Sequence, residues 1–301
     1  MNLLDERWAD YAAAMRGMNV KNALLSRDGE IVAEAHFDED CLRNAYSATK
    51  SFTATAVGIA QAEGLLSLEE RVVDCFSHEL PDAPGEHLEQ LRVRHLITMT
   101  LGQDQAYLMG ASRPVMPTKD WVRFALSRPF VEAPGMRFRY TNVGPYLAGL
   151  LVARRAGMSL AAYLYERFLD PLGILFPSWE VDPMRNSFGA GGMMVTTWHL
   201  LRLGEVYLNG GVWHGRRLLT EAWVAEAQRP FLPQAVDPEK GDYGYGYSFW
   251  LGPHGSYQAS GKYGQYAVVM PEKNAVLAVT ADAPEGSDIL GPFWEKVYPA
   301  L

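Results

Sequence analysis

Ser47 and Lys50 stand three residues apart in Tyr46-Ser47-Ala48-Thr49-Lys50-Ser51-Phe52, at the head of a stretch whose small and apolar residues recur with a helical period. Phe52, Ala56, Ile59 and Ala60 set that period, and Gly64 can end it, so a helix is expected from Ala48 to about Ala62. Ser47 then falls at or beside the N-cap, where a hydroxyl ordinarily accepts a first-turn N–H. A capping box would carry Glu or Gln three residues later, and the helix dipole favours negative charge there. This chain has Lys50 instead. A cation in the first turn breaks a local rule without a local gain, which points to a functional site. At i and i+3 the hydroxyl and the amine share a helix face, the geometry a base needs to take a proton from serine.

An acylating serine needs partners from elsewhere in the chain, and two further short motifs supply the residue types. Tyr140-Thr141-Asn142 sits just before a helix, where Asn142 would equally serve as an N-cap and Tyr140 as a packed aromatic. Lys262-Tyr263-Gly264 opens a strand that continues from Gln265 to Met270. Ser-x-x-Lys and Lys-x-Gly each occur once, whereas Tyr-x-Asn recurs at Tyr207-Leu208-Asn209.

With these three motifs in order, the chain resembles the serine β-lactamases, the D-Ala-D-Ala carboxypeptidases and their esterase relatives, most of all the class C β-lactamase branch. The resemblance extends over Leu96-Ile97-Thr98-Met99-Thr100, Gly191-Gly192-Met193, Leu208-Asn209-Gly210-Gly211 and Tyr243-Gly244-Tyr245-Gly246-Tyr247. It implies Ser47 as nucleophile, Lys50 and Tyr140 as the base pair, Asn142 orienting substrate and holding Lys50, and Lys262 supplying positive potential and linking to Tyr140. It also implies an oxyanion hole from the backbone N–H groups of Ser47 and Gln265. Lys262 and burial should drive Lys50 toward its neutral form, and two cations should favour ionised Tyr140. Tyr107, Tyr245, Trp250, Tyr263 and Gly264 are further candidates for contact with substrate. Two departures bear on that substrate: Tyr263 replaces the small Thr frequent in the third motif, and Leu101-Gly102 replaces Ser-Gly.

The elements that would position these groups can be read from pattern. Leu4, Trp8, Tyr11, Ala12 and Met15 describe an opening amphipathic helix. Ala23–Ser26 and Ile31–Ala35 flank Asp28-Gly29, a hairpin signal. Helical periods dominate from Ser47 to about Leu208, with segments at Val93–Thr100, Thr118–Leu126, Gly144–Ala156, Ser159–Leu169 and Thr197–Leu208, where Trp198, Leu201, Leu203 and Val206 are expected in the core. Strand-like runs return at Tyr245–Leu251, Ser256–Ala259, Gln265–Met270 and Ala275–Thr280, before a last helix through Ile289, Phe293, Trp294 and Val297. The expected fold is α+β: an antiparallel sheet built from both termini and flanked by helices, with a large inserted helical region, as in β-lactamases and transpeptidases. The expected domains are a sheet domain of residues 1–46 and 210–301 and a mainly helical domain of residues 47–209, with the site between them.

The chain of 301 residues is 48% hydrophobic and 21% charged, as befits a globular protein with a sizeable core. A formal charge of −8 with scattered Lys and Arg argues against nucleic acid or an anionic membrane surface as partner. The acidic start at Asp5-Glu6 and the lack of a long apolar run predict a cytoplasmic chain, or an exported one whose signal was removed. Cys41 and Cys75 have no metal or redox spacing and are expected as reduced, mostly buried thiols; no metal site and no cofactor are expected. The expected ligand is a small ester, amide or lactam, turned over by a serine hydrolase in which esterase activity leads, a true β-lactamase or D-amino-acid peptidase follows, and a non-catalytic binding protein on the same fold is the alternative of another class. Oligomeric state is left open.

Overall fold

The structure is a computed structural model that describes residues 3–301. Helix α1 (Leu3–Arg16) leads into the hairpin of β1 (Val20–Arg27) and β2 (Glu30–His36). Its turn is Asp28-Gly29, both at positive φ (53° and 82°), the backbone that a two-residue hairpin demands. After the helical region come β3 (Trp250–Leu251), β4 (Tyr257–Gly261), β5 (Gln265–Met270) and β6 (Ala275–Ala281), giving a six-stranded antiparallel sheet ordered β2-β1-β6-β5-β4-β3. Both ends of the chain therefore share one sheet, as the sequence predicts.

Residue alternation assigns the two faces of this sheet. Leu277 and Val279 of β6 join Trp8, Tyr11 and Met15 of α1 and Phe293 and Val297 near the C-terminus. Val276 and Ala278, one residue out of step, join the larger core with Leu200 and Leu203 from the helix Thr197–Leu208. A central strand buried on both faces reads as a continuous apolar run, as Ala275–Val279 does, and the one polar residue after it, Thr280, is hydrogen-bonded to Thr197.

The inserted region is organised on the helix Thr49–Ala62, hereafter α2, buried along nearly its whole length and packed against the helix Val143–Ala156, α3. No single helix among the described residues is long and apolar enough to cross a membrane; α3 and the segment Leu160–Leu172 reach that length together only across a 77° bend.

Several expectations are corrected. Tyr245–Leu251 is not one strand: only Trp250–Leu251 pairs, because Gly244 and Ser248 take positive φ and Ser248 turns inward to donate its N–H and hydroxyl to the Ile97 carbonyl. Lys262-Tyr263-Gly264 is not a strand entry but the turn between β4 and β5, closed by the pair Gly261 and Gln265, with Tyr263 and Gly264 at positive φ. Trp198 is 37% exposed and lies outside the core. Cys41 is exposed and Cys75 half-buried, both as free thiols.

Candidate active site

Ser47 lies in a single 3-10 turn, Tyr46–Ala48, that runs into α2; the N-cap of α2 is Ala48, which has no capping side chain. The serine hydroxyl is therefore not engaged as a cap. Two short strands, Arg43–Asn44 and Met194–Val195, hold the turn, and the Ala45 N–H donates to the Met193 carbonyl at 2.8 Å. Tyr46 adopts φ 47°, unfavourable for a residue with a side chain, while its N–H donates to Asn44 Oδ1 at 2.7 Å. Local strain held by its surroundings is typical of functional sites.

Lys50, one turn on and 1% exposed, places Nζ 2.8 Å from Ser47 Oγ and 2.7 Å from the Ala190 carbonyl oxygen. Burial, and then the positive charge of Arg113, push the amine down to about 7. A neutral amine at this position donates one proton to Ala190 and turns its lone pair to the Ser47 hydroxyl. The charge responsible differs from expectation: Lys262 is half-exposed, its Nζ 3.5 Å from Glu285 and 4.9 Å from the centre of the Tyr263 ring, and it does not reach Tyr140.

Tyr140 packs between Lys50, whose Nζ is 5.0 Å from the ring centre, and Trp250, on which it stacks at 5.6 Å and 21°. Burial pushes its hydroxyl up to about 12, outweighing the lowering effect of its hydrogen bond with Ser47. Of the two groups between which the sequence left the proton undecided, Lys50 is therefore shifted toward its neutral form and Tyr140 toward its protonated form.

Asn142 begins α3 without capping it. Its Nδ2 donates to the Leu108 carbonyl at 2.9 Å, its Oδ1 has no hydrogen-bond partner among the described residues, and it makes no hydrogen bond to Lys50. Gln265 is not brought to the site either. It lies one strand further in, paired with Gly261, its side chain bonded to the Lys262 and Ala281 carbonyls. The backbone facing Ser47 belongs instead to the end of β4. Because β3 spans only two residues and pairs with Tyr257 and Gln258, Ala259, Ser260 and Gly261 have no strand on that side. Gly261 presses on the serine turn so closely that a Cβ there would stand 2.1 Å from the Ala45 carbonyl oxygen.

Two cavities open at Ser47. One, about 270 Å³, is bounded by Tyr140, Trp250, Ser260, Gly261, Tyr263, Gly264 and Glu285; the other, about 450 Å³, by Tyr46, Arg113, Asn142, Glu180, Gly192 and Tyr263. Tyr263 borders both, its ring edge-on to Tyr46 at 5.1 Å. Tyr245 is buried edge-on to Tyr140 and belongs to a separate aromatic cavity beyond Trp250. Tyr107 turns away to donate its hydroxyl to Asp104 at 2.8 Å. The sequence reading missed Arg113, Glu180, the Ala190 carbonyl and Ser260-Gly261; only the last carried a signal, a small-residue pair directly after the expected strand Ser256–Ala259.

This sheet, inserted helical region and serine–lysine arrangement define a β-lactamase/transpeptidase-like protein. The chain belongs to the beta-lactamase family, whose model matches residues 3–290. Among solved structures it is similar to an octameric penicillin-binding protein homologue from Pyrococcus abyssi (21% identity over 98% of this chain and 75% of that one, TM-score 0.74). It is also similar to a family VIII carboxylesterase (18%, 100% and 98%, TM-score 0.75) and to EstCE1, a hydrolase with promiscuous acyltransferase activity (16%, 98% and 98%, TM-score 0.77).

Proposed function

We propose that the protein is a serine hydrolase that forms an acyl-enzyme on Ser47 and acts on small esters. The observation that carries this reading is the 2.8 Å contact between Ser47 Oγ and the buried amine of Lys50, which burial pushes down to about 7. As Ser47 Oγ bonds to the acyl carbon, its proton passes to Lys50 and the carbonyl π electrons move to oxygen. The N–H of Ser47 and the free backbone edge at Ser260 to Lys262 are the donors for that oxyanion, a contribution of roughly 3 kcal/mol per donor. When the intermediate collapses, the leaving alkoxide takes the Tyr140 proton, and Tyr140 is reprotonated from the Lys50 ammonium. Water then repeats the sequence on the acyl-enzyme, with Lys50 again the first acceptor. Asn142 and Tyr263 bound the acyl group, and the division into a sheet domain and a helical domain puts this cleft between them.

The preference for esters rests on charge. The two cations that border the cavities each face a carboxylate, Arg113 with Glu180 at 3.1 Å and Lys262 with Glu285 at 3.5 Å. Tyr263 adds an aromatic wall to both cavities, and among the described residues no unpaired cation borders them to hold a substrate carboxylate. A neutral acyl donor suits such a site better than a carboxylate-bearing lactam or peptide. Turnover of short-chain nitrophenyl esters, compared with a chromogenic cephalosporin on wild type and Ser47→Ala, tests this. Ester turnover lost in Ser47→Ala supports the reading; cephalosporin turnover alone moves the protein to the lactamases, and ligand binding with no adduct on Ser47 makes it a binding protein.

A further inference from the structure

Arg113 lies on a loop remote in sequence from Ser47 and Lys50, yet it borders the larger cavity beside them. Its Nη2 is 3.1 and 3.2 Å from the two carboxylate oxygens of Glu180, and its guanidinium carbon lies 4.3 Å from the centre of the Phe188 ring. Both partners belong to the segment that carries Ala190. The Phe188 N–H donates to the Glu180 carbonyl at 2.8 Å, and the Glu180 N–H to the Gly192 carbonyl at 3.0 Å. Gly192 is wedged under Glu180, where a Cβ would stand 2.2 Å from the Glu180 Cβ. Ala190 therefore lies between Phe188, on which Arg113 stacks, and Gly192, whose carbonyl is held by the Arg113 partner Glu180, and the Ala190 carbonyl receives Lys50 Nζ. On its other side Arg113 donates to the Leu108 carbonyl at 3.4 Å, the oxygen that also takes Asn142 Nδ2.

We propose that Arg113 is the positioning residue of the Ser47–Lys50 pair: it holds the Ala190 carbonyl against Lys50 Nζ and keeps a fixed positive charge beside that amine, with Glu180 as its anchor and counter-charge. This rests on the reading of Lys50 as the base. The groups around Lys50 are few: the Ser47 hydroxyl from its own turn, the face of the Tyr140 ring from the loop before α3, Arg113 with Glu180 behind it, and, across the cleft, Lys262 held by Glu285. The lowering of the Lys50 amine by the Arg113 charge agrees with this placement. Arg113 and Glu180 should then act in opposite directions. Loss of the Arg113 charge lets Lys50 hold its proton to higher pH; loss of the Glu180 charge leaves Arg113 uncompensated and makes Lys50 release its proton at lower pH.

The test is the rate of Ser47 labelling by a fluorophosphonate across pH 5 to 10, for wild type, Arg113→Gln, Arg113→Lys and Glu180→Gln. The expected result is an acid limb displaced upward by about one pH unit in Arg113→Gln and downward in Glu180→Gln. Arg113→Lys keeps the limb and lowers the plateau, since it retains the charge but not the two-oxygen grip or the stacking on Phe188. Falling plateaus with every limb at the wild-type pH, or limbs moving the same way in Arg113→Gln and Glu180→Gln, would overturn the proposal in favour of a purely structural brace. If Arg113→Gln does not fold, Glu180→Gln alone decides, and an unmoved limb overturns it. Wild type that never labels refutes the serine-hydrolase reading instead.

Discussion

Gly261 leaves the Ala45 carbonyl oxygen no room for a neighbouring side chain: a Cβ on Gly261 would stand 2.1 Å from it. Ala45 is two residues before Ser47, so this contact sets the distance between the serine turn and the free edge of β4. Gly261→Ala must push one backbone away from the other, since the obstacle is main chain and cannot rotate aside. The expected outcome is a fall in labelling of Ser47 by about tenfold or more, with a loss of roughly 1–3 kcal/mol in stability by denaturant titration. Near-native labelling would mean that β4 does not serve the oxyanion.

Lys50 is a site where function opposes stability. Its folded pKa of about 7 lies below that of an unfolded lysine, so folding is progressively disfavoured as pH falls from about 10 through 7 and the unfolded chain takes up a proton. Lys50→Met removes the buried amine while keeping most of the volume. Labelling should drop by about 10²–10⁴-fold, while the Tm at pH 7 rises by about 2–5 °C. A lower Tm in the folded variant would show that the hydrogen bonds to Ser47 and Ala190 outweigh the cost of burial.

The sequence made the Ser47–Lys50 contact legible because Lys50 violates the electrostatics of a helix start, and such violations are visible without a structure. The sheet was legible for a similar reason: Asp28-Gly29 and the uninterrupted apolar run Ala275–Val279 admit few other conformations. Lys262-Tyr263-Gly264 was misread because a turn at positive φ looks like a strand entry when the turn residue is Tyr and not Asn or Gly. That shift displaced the proposed oxyanion edge from the end of β4 to Gln265. Arg113 and the Ala190 carbonyl were invisible for a different reason, since contacts between distant loops and backbone acceptors leave no periodicity or spacing to read.

The proposed mechanism makes Tyr140 the acid for the leaving group, and burial pushes its hydroxyl up to about 12. Tyr140→Phe keeps the stacking on Trp250 and removes only the hydroxyl. Its cost should depend on the leaving group: small for a nitrophenolate, which departs without a proton, and about 10²-fold for an alkoxide such as that of an ethyl ester. Equal losses of kcat/KM on both esters would assign Tyr140 to acylation itself, alongside Lys50.

Acid stability should turn on two histidines outside the cleft. His95 Nδ1 accepts the Arg92 N–H at 3.0 Å and His199 Nδ1 accepts the Thr196 N–H at 3.2 Å, each closing the start of its helix. Both imidazoles are pushed down to about 4, by burial first and then by neighbouring arginines, with Asp40 opposing the effect at His199. A group with a depressed histidine pKa stays neutral in the folded chain while the unfolded chain protonates near pH 6.5, so stability is full above that pH and is lost between about 6.5 and 4. The double variant His95→Gln, His199→Gln keeps a side-chain acceptor for each N–H and cannot titrate. Denaturant midpoints measured from pH 8 to 4 should fall less steeply for it than for wild type; parallel curves would place the acid sensitivity on carboxylates instead.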